Sequence, residues 1–250
     1  MIAQLDWAQP WYAPWRGIGE PALRAVLDGQ PVAAALNAAG SAPVRFSPAS
    51  ALPPGSAYEL HVRTGECPTR DNLHDFFNGL CWIALPRTKA RLNELQAAAI
   101  ARDGIGARRG PVRDAITLFD ENGVLLQAPP PLWEALLERR WRDLFVTLRP
   151  LWDGARVLVV GHALLEKLAA PRKNLTGHVW AHACPSVAPA QADAWLAARL
   201  EGELLAAKPF TPLPVLGIPG WCGDNQNFSY YDDSEVFRAR TVATRNPGGA

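Results

Sequence analysis

Histidines set beside carboxylates at helical spacing are the part of this 250-residue sequence best suited to chemistry. In TRDNLHDFFNGLCW, residues 69–82, His74 is followed by Asp75 and, four residues on, by Asn78. In GHALLEK, His162 and Glu166 repeat that i, i+4 interval, which stacks two side chains on one helix face. An imidazole held by a carboxylate takes up and returns protons near neutral pH, the carboxylate fixing the ring's tautomer and orientation. His74 and His162 are therefore the candidate acid and base, with Asp75, Asp114 or Glu166 to orient them. Asp114 enters because the Arg113–Asp114 pair stands ahead of an apolar run where a turn would not need it. A helix cap, a first-turn histidine and a solvated asparagine would account for Asp71, His74 and Asn78 equally well.

Positive charge is densest at Arg87, Lys89 and Arg91, and again at Arg102, Arg108, Arg109 and Arg113. Arg70, Asn78, Arg87, Lys89 and Arg113 form the candidate substrate-binding set, a wall that would neutralise a small anionic substrate. A solvated helical face explains such a run more simply. In a narrower version His74, Asp75, His162 and Glu166 bind a divalent metal for hydrolysis, without an HExxH motif to support it. The alternative is a non-catalytic binding protein whose basic helix grips nucleic acid or an acidic partner. No aromatic residues interleave the basic run as a single-strand platform needs. GxxxxGK[ST] and GxGxxG are both absent, which argues against phosphate-loop nucleotide hydrolysis and dinucleotide binding.

The elements that must position these residues follow from period and punctuation. With Asp71 as N-cap, a helix places Leu73, Phe76, Phe77, Leu80, Ile83 and Ala84 on a core face; Asp71, His74, Asp75, Asn78 and Trp82 fall opposite. Pro86 separates it from a second helix, RTKARLNELQAAAIARDG. AITLFDENGVLLQ reads as a β-hairpin turning at Asn122-Gly123, and PPPLWEALLERRWRDLFVTLRPLW as one long helix. ARVLVVGHALLEKLAAP is a strand passing through glycine into a helix. YELHVRTG and TGHVWAHAC alternate like strands; the second puts His178, Trp180 and His182 on one face, the two histidines too far apart to share a metal. APAQADAWLAARLEGELL is a covering helix.

The fold class is α+β: a mixed β-sheet with a β-hairpin, covered by several helices. Residues 1–57, with Trp7, Trp11 and Trp15 among prolines and alanines, form a segment packed on the core. Residues 58–240 are the main domain and 241–250 a disordered tail. With 48% hydrophobic residues the chain can bury a substantial core, and a net charge of +1 argues against a surface that traps nucleic acid wholesale. The start does not resemble a secretory leader and no apolar run is long enough to span a membrane, so a cytoplasmic protein is expected. Cys67, Cys81, Cys184 and Cys222 are scattered without a CxxC pair, as reduced thiols would be.

In order along the chain, YELHVRTGECPTRDNLHDFFNGLCW, PRTKARLN, RGPVRDAITLFDENG, GHALLEK, and PLPVLGIPGW with YYDDSEVFR resemble a bacterial family of unknown function. That family is domain of unknown function number three thousand and twenty-five, and the resemblance spans roughly Tyr58 to Arg240. It implies no particular activity, cofactor or catalytic residue, so the candidate site rests on residue chemistry alone.

Overall fold

The computed structural model describes residues 5–52, 56–104 and 110–240. The anticipated tail, 241–250, lies outside the described residues. Two helices, α1 (Arg16–Leu27) and α2 (Val32–Ala39), precede strand β1 (Arg45–Pro48), helix α3 (Tyr58–Val62) and strand β2 (Glu66–Thr69). Then come α4 (Leu73–Ala84), α5 (Pro86–Asp103), α6 (Pro111–Asn122), β3 (Gly123–Gln127) and α7 (Pro130–Leu137). The chain continues through β4 (Arg156–Val159), α8 (His162–Lys167), β5 (Thr176–Trp180), α9 (Pro189–Ala197), α10 (Gly202–Ala206) and β6 (Phe210–Pro214). A four-stranded mixed sheet runs β4-β3-β5-β6, with β3 parallel to β5 and the other pairs antiparallel; β1 and β2 form a small parallel sheet. The α+β class expected from the sequence is the one observed.

β3 lies inside the sheet with Val124, Leu125 and Leu126 sealed from solvent, as a strand covered on both faces must be. β6 carries Pro212 and Pro214, which an edge strand tolerates because one side has no ladder bonds to make. Trp7, Trp11, Tyr12 and Trp15 of the first segment are buried in the same hydrophobic cluster as the sheet, and the Tyr12 hydroxyl donates to the Leu165 carbonyl at 2.9 Å.

Six local expectations fail. AITLFDENGVLLQ is not a hairpin: its first half is the end of α6, and β3 pairs with β4 and β5. Pro111 at the first helical position and the buried set Arg113, Ala115, Ile116 and Phe119 favour the helix. Gly123 is needed for close approach, since a Cβ there would stand 2.4 Å from the Phe119 carbonyl oxygen. YELHVRTG is α3, not a strand. The N-cap of α4 is Asn72, whose side chain accepts from the Asp75 amide at 2.8 Å; Asp71 instead accepts from the Val32 amide opening α2. The long helix beginning at Pro130 breaks after Leu137, where Arg139 adopts a positive φ of 54°, and gives way to a π turn (143–147) and a 3₁₀ turn (149–154). Likewise the covering helix is two short ones, α9 and α10, and His182 lies beyond the end of β5.

Candidate active site

α4 and α8 pack together, so the two histidine segments meet. His74 and His162 approach Nε2 to Nε2 at 3.1 Å, with their rings nearly perpendicular and centroids 4.5 Å apart. Behind His74, the Glu166 carboxylate accepts from Nδ1 at 2.9 Å. His162 Nδ1 has Asp120 Oδ2 3.6 Å away, and the other oxygen of Asp120 takes the Lys89 ammonium at 2.5 Å. The result is a row of five ionisable groups, Lys89–Asp120–His162–His74–Glu166, contributed by α5, α6, α8 and α4.

Backbone geometry fixes this row. Gly161 joins β4 to α8, and a Cβ there would stand within 2.4 to 2.5 Å of the Glu121 carbonyl and the Asn122 backbone. Only glycine lets α8 begin against the end of α6, which brings His162 beside Asp120. The Gly161 amide is secured to the Gly123 carbonyl at 2.9 Å.

Protonation follows from burial. His162 is 6% exposed, and its removal from water pushes its pKa down to about 4, against the pull of Asp120. It is therefore neutral at pH 7. Asp120 is opposed by its own burial, yet Lys89 and His162 hold it below the ordinary carboxylate range, so it is charged. Two facing Nε2 atoms accommodate one proton between them, since two lone pairs or two N–H groups would repel. Nearby, Asn78 Nδ2 donates to the Tyr58 hydroxyl at 3.1 Å and the Tyr58 oxygen lies 3.0 Å from Cys67 Sγ. Burial raises both the phenol and the thiol, so neither is an ionised nucleophile at neutral pH.

Two cavities open against this row and share Tyr58, Asp120 and His162 in their walls. One, of about 180 Å³, lies toward Lys89, Gln96, Glu59 and Glu121. The other, of about 400 Å³, reaches His74, Asn78, Arg70 and Asp75.

The structure thus gathers His74, His162, Lys89 and Asn78 around the two cavities, with Glu166 behind His74 and outside both walls. Asp75 reaches it differently from the sequence reading: it is buried and pairs with Arg70, the guanidinium contacts being 2.8 and 3.0 Å, instead of orienting a histidine. Asp114 is exposed in the first turn of α6, away from both cavities. Arg87 is exposed at the start of α5, where its amide donates to Asp193 at 3.1 Å. Arg113 is buried on α6 but lines neither cavity. Trp82 does not face solvent; it is buried and forms part of the smaller cavity's wall. Sequence reasoning missed Tyr58, Glu59 and Gln96, and it took Asp120, with Glu121, for turn chemistry at the expected hairpin and not for a site carboxylate. Of the basic run, Arg91 is tied to the Leu200 carbonyl and Glu94, and Arg102 to Asp103; Arg108 and Arg109 lie outside the described residues. Among the described residues no group of three His, Cys, Asp or Glu side chains could hold a metal ion. The proposed four ligands do not converge, because Glu166 is on the far nitrogen of His74 and Asp75 turns to Arg70.

An α+β chain with a partly buried histidine–carboxylate row is the class that fold and cleft define. The chain belongs to the family described as protein of unknown function DUF3025, whose model matches residues 44–241. No curated protein and no solved structure matches it. Among the described residues no helix is long and apolar enough to cross a membrane.

Proposed function

We propose that this protein is an enzyme that transfers protons to and from a small polar molecule bound between the two cavities, in hydrolysis or in removal of a proton next to a carbonyl. The observation that carries the reading is the 3.1 Å Nε2–Nε2 contact of His74 and His162 with a carboxylate behind each ring. His162, neutral and with Nδ1 free of any hydrogen bond, is the base. It takes a proton at Nδ1 from substrate or water while its Nε2 proton passes to His74 Nε2, and Glu166 stabilises the imidazolium so formed. Asp120 faces the newly protonated Nδ1, and Lys89 keeps Asp120 ionised for that role. Reversal of the same relay returns the proton to the leaving group.

The test is a panel of esters, amides, phosphoesters and carbon acids, the last followed by deuterium exchange, run with wild type, His162→Gln and His74→Gln. Loss of about 10²- to 10⁴-fold in whichever activity is found, with an unchanged circular dichroism spectrum, is the expected outcome. Folded variants that retain full activity would refute the reading.

A further inference from the structure

The charge in the smaller cavity is opposite to the one the basic residues of the sequence suggest. Among the described residues its walls carry Glu59, Asp120 and Glu121 against a single cation, Lys89, and Lys89 is already bonded to Asp120. Its neutral polar groups present acceptors as well. Gln96, 7% exposed, donates through Nε2 to Glu59 Oε1 at 2.7 Å, and a carboxylate partner fixes the amide orientation because a carboxylate can only accept. Gln96 Oε1 is thereby left buried with no hydrogen-bond partner, as is His162 Nδ1. Unpartnered buried acceptors cost free energy unless a ligand supplies donors. Asn93, which also lines the cavity, directs its amide nitrogen to the Glu59 carbonyl at 3.1 Å, which engages one of its two N–H donors. Trp82 Nε1 is an unpartnered donor on this wall, and its ring already lies under the Lys89 ammonium at 5.6 Å, the arrangement in which an indole face receives a cation.

We infer that the smaller cavity seats a cationic, donor-rich group of the substrate, a primary ammonium or a guanidinium. The inference rests on the cleft proposed above as the reaction site. Its N–H groups meet Gln96 Oε1 and the Glu59 and Glu121 carboxylates, while Trp82, Leu92 and Ile116 cover the adjoining methylenes. The rest of the substrate extends past His162 into the larger cavity, whose wall is shared at Tyr58, Asp120 and His162. Among the described residues the cations of the two cavities are Arg70 and Lys89, and both are engaged by carboxylates.

The experiment uses the full chain with n-butylammonium, methylguanidinium, n-butanol and butyrate as probes, followed by nitrogen-15 NMR. Saturable shifts of the Gln96 side-chain amide are expected with either cation and not with butyrate. Glu59→Gln and Gln96→Leu, each checked for an unchanged melting temperature, should weaken the cation by about tenfold, the scale of one charge-assisted hydrogen bond. Gln96→Leu failing to fold leaves Glu59→Gln to decide. Butyrate binding as tightly as the cations, absence of saturation by either cation, or unchanged affinity in Glu59→Gln overturns the inference. Binding is read without turnover, so the two proposals fail separately. Cation binding alongside an active His162→Gln enzyme removes only the proton-transfer role. An inactive His162→Gln enzyme without cation binding removes only the substrate class.

Discussion

Around Phe145 the interior is aromatic and most of its polar atoms find partners in the chain; around His162 it is a row of ionisable groups with several buried polar atoms left open. Phe145 stacks with Trp141, Trp152 and Tyr231 and meets Phe237 edge-on. Most polar groups there are engaged, although the Tyr230 hydroxyl, packed on Tyr231 and Phe237, is left without a partner. Trp152 donates to the Leu144 carbonyl at 2.8 Å and Trp141 to the Arg238 carbonyl at 2.7 Å, and Arg149 reaches Asn225 and Tyr231. Asn225, fully buried, donates to the carbonyls of Leu216 and Ile218. In the cleft, by contrast, His162 Nδ1, Gln96 Oε1 and Trp82 Nε1 have no partner. The two regions differ in the kind of atom left open: one phenol hydroxyl in the aromatic cluster, against an imidazole nitrogen, an amide oxygen and an indole nitrogen on the wall of a single cavity. Unpartnered atoms also occur in the apolar core, at Nε1 of Trp15, Trp133 and Trp180, so what marks the cleft is their gathering along one cavity wall beside ionisable groups.

Breaking the aromatic region should have the largest effect on stability. Phe145→Ala removes a ring that is fully buried and is expected to cost about 3–5 kcal/mol in urea unfolding, by the same amount from pH 8 to pH 5. The cleft should instead respond to pH. His162 binds its proton at about 4 in the folded protein against 6.5 unfolded, so between those values the unfolded state holds more protons and stability falls as pH falls. The full loss is roughly 3 kcal/mol, present above pH 6.5 as stability and exhausted near pH 4. His178, whose pKa burial also lowers, adds to it with the same sign. His162→Gln should therefore flatten most of the slope measured by denaturant titration at several pH values, and Phe145→Ala should leave the slope intact.

A smaller change sharpens the comparison by moving the row without touching its groups. Gly161→Ala places a methyl against the Glu121 and Asn122 backbone, so α8 must shift away from α6. A cost of about 1–3 kcal/mol is expected, together with a loss of activity larger than the stability change explains. Activity assays beside melting curves check this; wild-type activity in a destabilised Gly161→Ala protein would show that the His162–Asp120 spacing is not critical.

The histidine half of the cleft is legible in the sequence because its logic is local. His162 with Glu166, and His74 with Asn78, announce themselves by i, i+4 spacing, and the glycine between strand and helix marks where α8 starts. The partner across the cleft was hidden by one ambiguous signal. Asn122-Gly123 has hairpin chemistry, but the preceding Ala115, Ile116 and Phe119 recur at helical intervals and are buried as a helix face; giving that period precedence over the dipeptide would have placed Asp120 on α6. Tyr58 and Glu59 were lost with the misread α3. Gln96 had no signal at all, because an amide on a helix becomes significant only when tertiary packing buries one of its atoms without a partner. The basic wall is only partly at the cleft: Arg70 and Lys89 line the cavities already paired with carboxylates of the chain itself, while Arg87 and Arg113 line neither.

The His74–His162 couple can be observed directly by titrating the imidazole nitrogens of uniformly nitrogen-15-labelled protein, with the five histidines assigned by single His→Gln variants. A shared Nε2 proton predicts that His162 stays neutral as pH is lowered to near 4 and that its Nε2 signal moves when His74 is replaced by Gln. Independent titration of both rings near 6.5, with His162 indifferent to the loss of His74, would contradict it.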